Sequence, residues 1–374
     1  MRKKVLLSII TLSSALALSG CGNKTETPEV TSVVEAVSLE PLTEPATQTE
    51  AVTEPETVDP YYIPEGMMRS YLTGELINEG QGNRRPVAIM LNNIIDAIPQ
   101  TGISRAGVVY EAPVEGGLTR LMGIFENYDD LDKIGSVRSA RTYYVYFARE
   151  FDAIYAHYGQ CEYALPLLNS SEIDNISGLE SVGNVAYYRT SDRKAPHNAY
   201  TSAECIQDGI DYLGYNTAYP EGYDGHYIFA QGNEVVTLDA GEDAKKVVVG
   251  YPNNKPWFEY NESDNLYYRF QYGAKHIDDM NGEQLAYRNI IMQYCGWESY
   301  YGTQYLNINV SSGGAGKYIT NGKAIDITWQ KDSQYGKTRY YDEAGNEIVL
   351  NQGKTWVCII QKDQTDRIEI LSEN

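Results

Sequence analysis

The chain is short of basic charge. Its 30 lysines and arginines face 51 aspartates and glutamates, a formal net charge of −21. A chain this acidic is repelled by phosphate backbones, which argues against nucleic acid as a partner. Metal-type spacing is missing as well. The five cysteines show no C-x-x-C, no H-E-x-x-H occurs, and His226 and His276 have no ligand-like spacing. Asp129, Asp130 and Asp132 make only part of a calcium loop. No metal and no cofactor is implied. Gly313 to Lys317 lacks the first glycine and the following hydroxyl residue of a phosphate loop, and reads as a flexible turn. Phenylalanine is scarce, at 6 residues against 33 tyrosines. Tyrosine suits half-buried sheet positions and platforms for sugars or peptides.

What the sequence does have begins at its first residues. Arg2, Lys3 and Lys4 precede an apolar run from Val5 to Leu18, too short to span a bilayer comfortably. A charged start, a short apolar stretch and small residues at the end predict a secretory signal over residues 1–20. Leu18-Ser19-Gly20-Cys21 resembles a bacterial lipobox, which implies that Cys21 is lipidated. Two acyl chains give stable anchoring, so the expected location is the extracytoplasmic face of the cell membrane. Residues 21–75 are rich in Thr, Glu and Pro without periodicity. Up to Asp59 they carry nine acids against one base, Lys24, and dense like charge predicts a disordered, extended tether. Outside the cytoplasm disulfides are permitted. Cys161, Cys205, Cys295 and Cys358 allow three pairings, between which sequence does not choose, and a core of this size needs no staple.

About 310 residues follow the signal and tether, enough for one large or two ordinary domains. Val87–Leu91 and Gly107–Tyr110 are apolar runs of strand length, and Leu118–Phe125 reads as a third strand. Tyr144, Phe147, Ala148 and Phe151 recur at i, i+3, i+4 and i+7, one face of an amphipathic helix, for which Ser139 is the expected N-cap. Ala153–His157 is a further strand. Strands alternating with a helix predict a mixed α/β sheet over residues 80–230. From Val235 onward, Tyr- and Thr-rich strands alternate with Gly, Asn and Asp turns. They include Val235–Leu238, Lys246–Val249, Leu266–Phe270, Asn289–Tyr294, Lys323–Trp329 and Trp356–Gln361. The expected fold class is α+β: a mixed α/β domain, then a β-rich domain over residues 235–365 with its own core.

Five stretches carry a resemblance. They are Arg85–Asn93, Glu115–Arg120, Ile134–Arg141, Ala195–Tyr200 and Asn321–Trp329. Together they resemble the YerB-type lipoproteins of Gram-positive bacteria, a two-domain family of unknown function. One departure is Ser136, where the family often carries proline. The resemblance implies location and architecture and supplies no activity.

Arg138 and Arg141 stand where the amphipathic helix is expected to begin. Cations are unfavourable in a first turn unless something negative is present. One such partner is an external anion, a phosphate or carboxylate gripped by Arg120, Arg138 and Arg141 with His197 on a neighbouring loop. The other is internal, with Glu111 and Glu115 neutralising the arginines. Glu111 and Glu115, with Asp152 and His157, also form the candidate acid–base set of an enzyme, although carboxylates beside arginines stay ionised and make poor acids. Two functions follow as expectations. One is a binding or scaffolding module for an anionic wall component or partner protein. The other is an envelope hydrolase or transferase acting on wall glycan or lipid-linked phosphate.

Overall fold

Continuous apolar runs demand burial on both faces, and a large sheet at the centre supplies it. A computed structural model describes residues 59–373. The signal, Cys21 and the tether as far as residue 58 lie outside the described residues. The strands that matter here are β1 (Val87–Asn92), β2 (Val108–Pro113) and β3 (Thr119–Phe125), followed by helix α1 (Thr142–Glu150), β4 (Ile154–His157) and β5 (Asn175–Ser177). Helix α2 (Ala203–Leu213) comes next, then β6 (Leu266–Gln271), β7 (Asn289–Ser299) and β8 (Leu306–Asn309). The series closes with β9 (Gly314–Thr320), β10 (Lys323–Gln330) and β11 (Thr355–Gln361).

A 12-stranded mixed sheet runs β10-β9-β7-β11-β2-β3-β1-β4-β5, with Glu242–Asp243 at the β10 edge and β8 and Arg339–Tyr341 as side branches. At its centre β11 lies parallel to both β7 and β2, with Trp356 opposite Val109 and Cys358 opposite Glu111. All seven residues of β11 are buried. Their alternation divides them between two cores: Val357 and Ile359 face one side, Trp356, Cys358 and Ile360 the other. Helix α1 covers the first side with Tyr144, Phe147, Ala148 and Phe151, as its spacing predicts. The second side is covered by α2 and by a six-stranded sheet containing β6, Lys246–Val248 and Trp257–Asn261.

The fold class is α+β with a β-rich second half, as expected. Three local readings are corrected. Val235–Leu238 is a loop, held by paired bonds between Val236 and the Asn351 side chain. The stretch from Gly313 to Tyr318, expected as a turn, lies from Gly314 onward in the strand Gly314–Thr320. The ordered body also begins before residue 80: Met67–Arg69 pairs with Leu76–Asn78, and Leu72 is fully buried. The core expected for the second half alone is shared, since both apolar clusters mix residues from the two halves. Cys161, Cys205, Cys295 and Cys358 are free thiols.

Candidate functional site: an arginine cluster at one sheet end

The segment from Ile134 to Ala140 is extended and stitches two parts of the first half together. Ile134 and Gly135 pair with Thr201 and Tyr200, Val137 N donates to Ala199 O at 2.7 Å, and Arg138 N donates to Met90 O at 2.9 Å. This ribbon carries Arg138 and brings in the loop holding His197. Helix α1 starts only at Thr142, with Arg141 itself at the N-cap and no side-chain cap. Neither Arg138 nor Arg141 is therefore in the first helical turn, and Ser139 bonds elsewhere, donating to Tyr158 O at 3.2 Å.

Period-two alternation decides which charges meet. Arg120 pairs in register with Asn92 and Ala112 and points to the α1 side of the sheet, as Met122 does. Arg120 Nη1 donates to Ser139 O at 2.6 Å. Burial, then the charges of Arg141 and Arg138, bring its pKa down to about 10, which leaves it cationic at neutral pH. Arg141 is satisfied internally: its Nε and Nη2 donate to Glu115 Oε1 and Oε2 at 2.8 and 2.6 Å. Burial pushes the Glu115 carboxyl up, but the Arg141 bonds and charge, with Arg120, outweigh it and hold it below the usual range.

Arg138 is different. No hydrogen bond or ion pair among the described residues reaches its guanidinium. Burial, Arg141 and Arg189 push its pKa down. His197 lies close enough to feel it: burial, then Arg138, lower the imidazole pKa, opposed by Asp96. Asn92 Nδ2 sits 2.8 Å from His197 Nδ1. An amide nitrogen only donates, so His197 Nδ1 accepts and the neutral ring carries its proton on Nε2. Arg138 thus lies near enough to Arg120 and His197 to lower the pKa of both, and the His197 ring keeps one N–H.

Glu111 is not part of it. One residue from Tyr110, it points to the opposite face and is fully buried. Asn93 Nδ2, Thr119 Oγ1 and Asn254 Nδ2 donate to its Oε1 at 3.2, 2.8 and 2.7 Å. Its Oε2 accepts from Arg269 Nη2 at 2.6 Å. Arg269 continues the chain to His276 Nδ1 at 2.9 Å, and His276 Nε2 reaches Gln100 Oε1 at 2.7 Å. The expected pairing of Glu111 with Arg138 and Arg141 is therefore corrected, and so is the acid–base set. His157 is buried. Asp152 lies at the other end of the sheet against Arg85, 3.1 Å away. The Asp129–Asp130 turn is occupied by Arg84 and Arg105. No group of three or more metal-ligating side chains occurs among the described residues. Sequence reasoning missed Asn92 and Arg269. Asn92 ends a strand beside Arg120, and Arg269 is one base among many in strand-like sequence.

Residues 72–216 match the N-terminal domain of a protein of unknown function (DUF3048), and residues 247–357 match its C-terminal domain. A curated relative, "Putative lipoprotein YerB" of Bacillus subtilis (strain 168), is 29% identical over 301 residues, 78% of this chain and 86% of the relative. The chain belongs to the YerB-type two-domain family. The crystal structure of YerB protein from Bacillus subtilis superposes with a TM-score of 0.72 at 29% identity, covering 81% of this chain and 99% of that one. No helix among the described residues is long and apolar enough to cross a membrane.

Proposed function

We propose that this YerB-type protein is a lipid-anchored lipoprotein on the extracytoplasmic face of the cell membrane. It binds an anionic envelope component, a wall constituent or an acidic partner protein, through Arg120, Arg138 and His197. The observation that carries the reading is the state of Arg138. A guanidinium placed beside two other arginines and left without a carboxylate is electrostatically costly, and an incoming anion relieves that cost. Arg141, paired with Glu115, lies near enough to lower the pKa of both Arg120 and Arg138. The signal sequence, Cys21 and the name of the curated relative support the anchor.

Isothermal titration of the full-length protein in detergent with inorganic phosphate tests the site. Saturable binding is expected, weakened at least tenfold by Arg138→Ala, consistent with losing one charge-assisted bond of about 1.5–3 kcal/mol. Absence of saturable binding, or an Arg138→Ala variant that binds as well, ends the anion reading. For the anchor, incorporation of labelled palmitate should disappear in Cys21→Ala, with release of the protein from the membrane. No palmitate in the unaltered protein, or a Cys21→Ala protein that stays at the membrane, rules out the anchor at Cys21.

A further inference from the structure

The arginine cluster has a third unpaired guanidinium. Arg189 lies on the short strand Tyr188–Arg189, which pairs with Ala199–Thr201, the strand that also holds Ile134 and Gly135. Its guanidinium carbon sits 4.6 Å from the centre of the Tyr158 ring, and Nη1 donates to Asn198 Oδ1 at 2.8 Å. Two backbone contacts tie this arginine to Arg138. Tyr158 N donates to Arg138 O at 3.0 Å, and Ala199 O, of the residue in register with Arg189, accepts from Val137 N at 2.7 Å. Arg189 is exposed, and its charge is one of those that lower the Arg138 pKa. Like Arg120 and Arg138, it has no carboxylate within 4.0 Å among the described residues.

A charge count decides which anion such a cluster suits. Glu115 is committed to Arg141. Asp96 acts on His197, and Arg193 acts on it with the opposite sign. The charges of Arg120, Arg138 and Arg189 remain without a counter-charge. A dicarboxylate brings two negative charges, and a single phosphate group about 1.5–2 at neutral pH, because its second pKa lies near 6. A terminal diphosphate adds the full charge of its inner phosphate and so reaches about three. Guanidinium forks suit it as well, since each can donate to two oxygens of one phosphate.

We infer that the ligand of this site carries a terminal diphosphate, with Arg120 and Arg138 holding one phosphate and Arg189 selecting for the second. The inference rests on the anion reading above and narrows it. The test is calorimetry of the full-length protein in detergent with inorganic phosphate, inorganic pyrophosphate and succinate. Pyrophosphate should bind at least tenfold tighter than phosphate. That preference should vanish in Arg189→Ala and survive in part in Arg189→Lys, which keeps the charge without the fork. Arg138→Ala should weaken both anions together. If phosphate binds but pyrophosphate binds no tighter, or if the preference persists in Arg189→Ala, the diphosphate is overturned and the anion reading stands. If neither anion binds, both fall. Succinate bound as tightly as pyrophosphate overturns the phosphate class. Farnesyl diphosphate and uridine diphosphate separate the sources of the group. Binding of the first alone assigns it to a lipid, binding of the second alone to a nucleotide, and binding of both shows recognition of the diphosphate itself. Binding of neither overturns the proposal.

Discussion

Glu111 and Glu115 stand four residues apart and do opposite things. Glu111, in mid-strand, is carried to the face away from α1 and meets Arg269 of the second half. Glu115, past the strand end, reaches Arg141. The Glu111–Arg269 pair is fully buried, and the Arg269 guanidinium lies 4.2 Å from the Trp356 ring. Removing one partner of such a pair strands a charge, so Arg269→Met should destabilise the protein by about 3–5 kcal/mol in urea unfolding. The double variant with Glu111→Gln should recover part of that loss. Next in the chain, burial and then Arg269 hold the His276 pKa well below 6.5. A base whose folded pKa is depressed binds its proton mainly when unfolded. Stability should therefore fall as pH drops below about 6.5, by up to about 1.4 kcal/mol per pH unit for one proton. The slope between pH 7 and 5 should be shallower in His276→Gln, since glutamine can both accept from Arg269 and donate to Gln100. An unchanged slope would clear His276 of this role. The charges themselves were legible in the sequence. Their pairing was not, because alternation assigns faces only once strand registers are known.

At the scale of elements, apolar runs and the i, i+3, i+4, i+7 pattern located the central strands and α1, since burial writes those periods directly. Two misreadings came from residues whose role is set by neighbours. Val235–Leu238 has strand composition, but the backbone of Val236 bonds the Asn351 side chain instead of a neighbouring strand. Gly313 to Gly316 looks like a turn because glycine is rare in strands. In β9, Gly316 pairs with Gln293 and Ile327, and a Cβ there would enter the radius of Met292 O. Close approach of backbones, not flexibility, requires the glycine. Gly316→Ala should cost about 1–3 kcal/mol by forcing β7 and β9 apart, read as a lower urea midpoint. A neutral result would show that β9 can shift without loss. The arginine ribbon is a similar case: Arg138 looked like a first-turn residue because no glycine or proline separates it from α1. Its extended conformation comes from pairing with Met90 and Ala199, contacts distant in sequence.

For the whole described body, the decisive contact is β2 against β11. The two family segments meet in the middle of one sheet, not across a linker. β11 contributes Trp356 and Ile360 to one core and Val357 and Ile359 to the other, so without it β2 loses its neighbour along Val108–Glu111. Two buried charge groups cross the same seam: Glu111 with Arg269, and Glu150 with Lys331 at 2.7 Å. Around Glu150, Thr338 N and His226 Nε2 lie 2.8 and 2.7 Å from Oε2; burial opposes ionisation, but His226 and Lys331 bring the carboxyl down to about 2. A fragment of residues 59–230 would therefore expose a central strand edge and leave two buried carboxylates without their cations, each a cost of several kcal/mol against a total stability of about 5–15 kcal/mol. It should show no cooperative thermal transition and should bind a hydrophobic dye. Adding residues 231–374 as a separate chain should restore both the transition and dye exclusion. A fragment that melts cooperatively alone, with the secondary structure of the intact protein, would mean that each half folds by itself and that the shared sheet is only a docking surface.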